Sequence, residues 1–260
     1  MECKRTGLIL RAVPVSEGDL LLHVLSAEQG LMLLSAKGAR SRRSRLFPYA
    51  HILLYGEFTL SARSKDGYGG IAGWLREISP IEDFYNVSLG IERLALITYL
   101  FELLCTVCTE GQSDPALLRL TLNTLWVLSR TDRPLNAVKG VFELRCACEL
   151  GFAPDLTGCL RCGAQDRLLL VPDEGGLLCA DCLENEAAPY ERPALPVSPD
   201  VLRAMRHIVG CEQARLFAFR LPDGEMHALC TLAQTYLLSQ IDGKFPTLDY
   251  FRSVYPEQNP

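Results

Sequence analysis

The sequence predicts an α+β protein of two modules, a small β-barrel followed by a helical module into which a four-cysteine ribbon is inserted. Three observations carry that expectation. Between residues 7 and 78 apolar runs of strand length follow one another at close spacing. After Pro80 the apolar positions recur at the helical period of about 3.6 residues. Cys159, Cys162, Cys179 and Cys182 stand as two Cys-x-x-Cys pairs with sixteen residues between them. The expected boundaries are residues 1–80 for the barrel and 81–260 for the helical module, with the ribbon at about 156–186. A chain of 260 residues is long enough to bury a sizeable core.

The strands come first. TGLILRAV, DLLLHVLSAE, GLMLLSAKG and HILLYGEFTLSAR are apolar runs separated by SEG, EQG and a basic loop, and Gly67, Gly69, Gly70 and Gly73 mark further turns. Short strands within about 80 residues fit a small antiparallel barrel, of which the oligonucleotide-binding fold is a common type.

The helices follow. VSLGIERLALITYLFELLCTVC is apolar nearly all round and belongs at the centre of a bundle. Asp114-Pro115 supplies an N-cap and an N1 proline for ALLRLTLNTLWVLSR, and Pro134 opens LNAVKGVFELRCACELG, which Gly151 closes. Ser198-Pro199-Asp200 opens VLRAMRHIVG in the same way. MHALCTLAQTYLLSQI reads as the last helix before a polar tail, and residues 184–199, with four prolines, read as a linker.

The cysteine spacing reads as a zinc site. Each Cys-x-x-Cys knuckle turns two sulfurs toward one point, and sixteen residues suffice for a hairpin that brings back the second pair. Gly163, Gly175 and Gly176 supply the turns. Four thiolates fill a tetrahedral zinc and leave no position for water, so the expected role of the one ion is structural. The competing reading is a disulfide pair or four buried thiols. The opening MECKRTGLILRAV is too brief for a signal peptide, and no uncharged apolar stretch is long enough to span a membrane. The expectation is a cytoplasmic protein with reduced thiols among its eleven cysteines.

The net charge of −5 hides an asymmetry. Residues 1–80 carry eleven Lys and Arg against seven Asp and Glu, and the remainder carries fifteen against twenty-four. Segregated charge points to a polyanion partner for the first module and a different partner for the second. The densest cationic run is Lys37, Arg40, Arg42, Arg43 and Arg45, five basic residues in nine with no acidic one, followed by Phe47 and Tyr49. Such cations neutralise phosphates with release of counterions, and the nearby rings can stack on unpaired bases. Arg63 and Lys65, in a second polar loop, extend the surface. The plain alternative for an isolated run is a solvated loop or a targeting address.

No catalytic motif appears where one was sought. None of His23, His51, His207 and His227 has Glu two positions later, no His-Glu-x-x-His exists, and Gly243-Lys244 lacks the rest of a phosphate-binding loop. Cys105 and Cys108 share a helix face and read as buried thiols rather than a redox pair; Cys146 and Cys148 point to different sides of their helix.

At this point the residues carry a family resemblance. The opening TGLILRAVPVSEGDLLLHVLSAEQGLMLLSAKGARSRRSRL, the passage FELRCACELGFAPDLTGCLRCG and the later GGLLCADC resemble the bacterial RecO family of recombination mediators over most of the chain. Its most specific parts are the AKGAR loop and the FEL-x5-LG-x-x-P-x-L-x-x-C-x-x-CG passage. The four cysteines resemble those of the zinc-bearing branch. The resemblance implies an oligonucleotide-binding barrel, a helical C-terminal domain with a zinc ribbon, and a role without covalent catalysis. It further implies binding of single- and double-stranded DNA, annealing of complementary strands, and loading of RecA with RecR onto DNA coated by single-strand-binding protein. Such a protein is cytoplasmic and nucleoid-associated. Carried onto this chain, the DNA surface maps to Lys37, Arg40, Arg42, Arg43 and Arg45. The acidic-hydrophobic tail of single-strand-binding protein is expected on the helical domain, with Lys139 and Arg145 beside Phe142 as candidates for its cationic rim.

The alternative from another class is a zinc-ribbon accessory factor whose basic loop binds RNA or protein. A third reading, a thiol oxidoreductase built on Cys105 and Cys108, requires a reactive thiol of low pKa.

Overall fold

The computed structural model describes residues 2–61, 71–185 and 190–256. Five strands, β1 (Glu2–Pro14), β2 (Leu20–Ser26), β3 (Gly30–Ala36), β4 (Leu54–Ser61) and β5 (Ile71–Asp83), close into a barrel in the order β1-β2-β3-β5-β4. The alternation expected of half-buried strands is clearest in β3 and β4, where every second residue is buried. Their inward side chains Met32, Leu34, Phe58 and Leu60 meet Ile9, Leu22, Val24, Leu75 and Ile78 in one core.

Two features of the barrel differ from the sequence expectation. It is not wholly antiparallel, because β3 pairs with β5 in parallel. The reason is parity: strands alternating in direction cannot close a ring of odd number, so one pair must run parallel. The strand that closes it, β5, replaces what Gly73 and Pro80 marked as turn and boundary. Gly73 lies inside the strand, and Pro80 sits opposite Gly56 beside a register shift, a position that tolerates the missing N–H.

The long apolar segment after the barrel starts later than its pattern indicates. Residues Tyr85–Leu89 form a 3-10 turn, Gly90 is extended, and α1 covers Ile91–Val107. Ala95, Leu96, Tyr99, Leu100, Leu103 and Leu104 are buried as an apolar helix requires, but the helix belongs to the unit that contains the barrel and does not form the centre of the later helices' bundle. The next helix, α2 (Pro115–Arg130), begins as read, with the Asp114 carboxylate accepting the Leu117 N–H at 3.1 Å.

By internal contacts the chain forms two compact units, residues 2–131 with 245–256, and residues 132–244. The second contains α3 (Leu135–Glu149), then β6 (Asp155–Cys159), β7 (Leu168–Val171), β8 (Gly176–Cys179), α4 (Ala180–Glu184), β9 (Leu195–Pro196), α5 (Pro199–Gly210) and α6 (Asp223–Gln240). The short strands form a sheet of order β6-β8-β7-β9. Helices α3 and α6 pack closely because Gly140 has no side chain: a Cβ there would lie 3.0 Å from the Cα and sulfur of Cys230. The proline-rich stretch read as a linker is ordered in its described part. Its β9 forms the sheet edge beside β7, where proline is tolerated, and Arg192 reaches the Asp173 carboxylate at 2.7 Å.

The stretch read as a polar tail holds a further helix, α7 (Pro246–Val254), which belongs to the first unit. Proline at N1 and buried Leu248 and Phe251 define it, and Phe245 meets Tyr99 of α1 edge-on at 6.1 Å. Among the described residues no helix is long and apolar enough to cross a membrane.

Candidate functional site

The basic loop between β3 and β4 is built as a chain of turns on the barrel. Gly38 takes a left-handed φ of 67°, and its N–H donates to the Asp19 carboxylate at 2.7 Å. The Arg40 N–H donates to Gly18 O at 3.0 Å, and its guanidinium donates to Ser16 O at 2.9 Å, so Arg40 ties the loop to the β1–β2 connection. Successive turns follow at Gly38–Ser41, Ser41–Ser44 and Ser44–Phe47. Ala39, Leu46 and Ala50 are buried in the barrel core, so three apolar anchors hold a loop whose basic side chains face water.

Between the anchors Lys37, Arg40, Arg42, Arg43 and Arg45 are all exposed. Among the described residues no carboxylate pairs with any of them, in contrast to Lys4, which is 2.6 Å from Glu57. The two rings behave differently: Phe47 is 46% exposed, whereas Tyr49 packs against the barrel core and offers only part of its face. Arg63 and Lys65 lie outside the described residues.

The cysteine cluster lies in the second unit. The sulfurs of Cys159, Cys162, Cys179 and Cys182 all lie within 4.8 Å of one another, and Cys162 and Cys179 are 3.6 Å apart. A tetrahedron of sulfurs about 2.3 Å from a central ion has edges of roughly 3.8 Å, so the four sulfurs fit a metal ion. The first knuckle is closed by the Cys159 N–H to Ala164 O at 2.9 Å and the Gly163 N–H to Cys159 O at 2.8 Å, with Gly163 at φ 75°. Gly175, at φ 68°, returns the chain into β8, and Cys179 stands at the N-cap position of α4, whose first turn carries Cys182 into the cluster. No disulfide forms.

The thiols compete for charge. Burial pushes the Cys159 thiol up, but backbone N–H groups of Cys179, Cys162 and Arg161 outweigh it and lower the pKa to about 6. Hydrogen bonds with the sulfurs of Cys162 and Cys179 push Cys182 up to about 12. Crowded sulfurs do not all ionise unaided; a cation among them permits it.

Two supporting residues carry no cysteine signature and were missed by sequence reasoning. The Arg206 guanidinium on α5 donates to Leu156 O at 2.8 Å, Thr157 O at 3.2 Å and Gln165 Oε1 at 3.2 Å. Gln165 in turn donates to Thr157 O at 2.7 Å and lies over Gly158, where a Cβ would meet it at 2.3 Å. The only sequence hint was an arginine on the polar face of an amphipathic helix.

The trio Lys139, Phe142 and Arg145 does not form an exposed cationic rim. Lys139 is 2% exposed; its ammonium lies 2.9 Å from the Glu143 carboxylate and donates to Gln234 Oε1 at 2.9 Å. Phe142 is fully buried. Arg145 pairs with Glu149 at 2.6 Å and donates to the Ile208, Val209 and Cys211 carbonyls at the end of α5. Close packing of α3 on α6 is the cause, and the pair at i, i+4 is what lets a lysine enter it. Glu143→Ala therefore leaves a buried ammonium short of its counter-ion and is expected to cost about 3 kcal/mol in denaturant unfolding, much of it recovered in Lys139→Met/Glu143→Leu.

Cys105 and Cys108 lack the low pKa that a redox pair requires. Burial pushes Cys105 up to about 11 and Cys108 up to about 12, and Cys108 lies just past the end of α1. A thiol titration of the folded protein at about pH 8 should find no fast-reacting pair there; reaction within seconds would revive a redox role.

Known proteins resemble the chain over both of its parts. Residues 1–75 match the family model for the recombination protein O N terminal, and residues 89–249 match that for its C terminal. The DNA repair protein RecO of Acetivibrio thermocellus is 31% identical over 254 residues, covering 96% of each chain. Those of Caldicellulosiruptor saccharolyticus and Desulfitobacterium hafniense are 25% identical over 96% of this chain and 28% over 91%. With both family models matched in order on a barrel and a helical part, the chain belongs to the RecO family of DNA repair and recombination proteins.

Proposed function

We propose that the protein is a non-enzymatic recombination mediator that binds single- and double-stranded DNA through the basic loop of its barrel and anneals complementary strands. The observation that carries the reading is the loop itself, five exposed cations on a rigid base with no carboxylate partner among the described residues. Lys37, Arg42, Arg43 and Arg45 neutralise phosphates, Arg40 also positions the loop, and Phe47 offers a ring for stacking. Tyr49, half-buried against the barrel core, contributes less. Neutralising two strands' phosphates on one surface lowers their mutual repulsion and lets bases pair, which requires no bond chemistry.

The four cysteines hold one structural zinc in this reading, because four sulfurs on a tetrahedron favour it over oxygen-seeking ions. RecR and the tail of single-strand-binding protein are the proposed protein partners, with RecA loading as the outcome; the tail docks elsewhere than on buried Lys139 and Phe142. Residues 1–80 are the nucleic-acid module and 81–260 the partner module, a division in line with the two family matches, while contacts group α1, α2 and α7 with the barrel. The setting is the cytoplasm, at the nucleoid.

Competition among single-stranded DNA, duplex DNA and RNA of equal length tests this reading. Both DNAs should bind and displace a labelled DNA strand. Preference for RNA would favour an RNA-binding accessory factor instead.

A further inference from the structure

Two surfaces of the first unit complement each other. One is the basic loop, where Arg42, Arg43 and Arg45 stand beside exposed Phe47. The other runs from the end of β5 through the 3-10 turn to the start of α1. There Ile81, Tyr85, Leu89 and Ile91 are 58%, 58%, 74% and 62% exposed. Interleaved with them are the exposed acids Glu82, Asp83 and Glu92. The next cation in the chain, Arg93, donates to Leu128 O at 3.1 Å.

Four large apolar side chains are exposed within one stretch of eleven residues, a density unusual on a solvated surface. The acids repel nucleic acid, so the fitting occupant is an apolar surface with a cationic rim. The basic loop of the same chain has that composition. The two surfaces are also neighbours: His51, at the end of the loop, meets Tyr85 edge-on at 6.1 Å, and its Nε2 lies 3.5 Å from the Asp83 carboxylate. When two complementary patches lie side by side, a two-fold axis between them lets each meet its counterpart on the other copy, which closes the assembly at two.

We propose that two copies of this chain associate through these surfaces, each laying its Arg42–Phe47 loop on the acidic, apolar face around Tyr85 and Leu89 of the other. Phe47 and the four apolar residues expose on the order of 500 Å² together, against about 800 Å² from each partner in a standard interface, so the dimer is weak. The cations that hold it are those assigned to DNA, so DNA and the second copy compete for one loop. That competition alone rests on the DNA reading; self-association stands without it.

The test is sedimentation velocity of the full chain without DNA. The wild type should pass from monomer to dimer with a Kd in the tens of micromolar at low salt, weakened at least tenfold at about 0.5 M salt. Glu82→Lys/Glu92→Lys and Arg42→Glu/Arg43→Glu should each be monomeric, and an equimolar mixture of the two should dimerise again. All four positions are exposed, so circular dichroism should show both variants folded. A wild type monomeric up to about 0.2 mM, well above that range, or a dimer that survives both reversals, overturns the proposal. Adding a single-stranded oligonucleotide should convert dimer to DNA-bound monomer; a dimer that binds DNA intact removes the competition. Dimerisation without any DNA binding would instead reject the DNA reading and leave this one standing.

Discussion

Replacing Arg42, Arg43 and Arg45 together by alanine is expected to weaken binding of single-stranded DNA about 100-fold near 0.1 M salt. The magnitude follows from counterion release. Each phosphate neutralised on a single strand returns about 0.7 of a counterion, so three lost contacts lower the slope of log affinity against log salt by about 2. The loss should be nearly uniform across sequences, because phosphates carry no base identity. Fluorescence anisotropy over a salt series measures both quantities. The fold should survive, since the loop's anchors are Ala39, Leu46 and Ala50 and none of the three arginines has a partner among the described residues. An unchanged salt slope would remove the loop from the DNA surface.

Removing the metal is expected to do the opposite: a large loss of local structure with little change in DNA affinity. The ribbon's sheet has four strands of two to five residues, too little apolar surface to order itself. Ions in comparable structural sites contribute about 10–16 kcal/mol at neutral pH, far beyond what such a sheet gains by burial. Metal analysis should find one ion per chain, held by Cys159, Cys162, Cys179 and Cys182. Chelation, or Cys159→Ser with Cys179→Ser, should melt β6 to β8 and free Arg206 from Leu156, Thr157 and Gln165. Far-ultraviolet circular dichroism should retain the helical signal. The basic loop belongs to the other unit and none of its hydrogen bonds among the described residues involves the ribbon, so its DNA affinity should change less than about twofold. A tenfold loss of DNA binding on chelation would assign the ribbon to the binding surface.

Much of this was legible in the sequence because the signals were local. Apolar runs marked β3 and β4, Asp114-Pro115 and Ser198-Pro199 marked helix starts, and Cys-x-x-Cys spacing marked the four-cysteine cluster. The basic loop was legible as charge. What failed to show was whatever depends on residues distant in the chain. The strand β5 carries glycine and proline that read as punctuation, and only its pairing with β4 and β3 makes it a strand. Helix α7 was hidden in a polar stretch because just two of its side chains are buried, against α1 and its neighbours more than a hundred residues away. Lys139 misled for the same reason: a lysine signals surface unless its counter-ion one turn on and a second helix are both seen. Arg206 holds the ribbon by bonds to backbone carbonyls, a function that leaves no mark on residue type.

In the proposed reading the chain acts on DNA by binding and pairing strands, through charge on the barrel loop. The most direct measurement is the annealing rate of two complementary labelled oligonucleotides, one coated with single-strand-binding protein, with no nucleotide cofactor added. The wild type should accelerate annealing at least tenfold and leave both strands intact, and the Arg42/Arg43/Arg45 triple-alanine variant should not. Equal acceleration by both proteins, or cleavage of either strand, would remove strand pairing by the barrel loop as the chain's action.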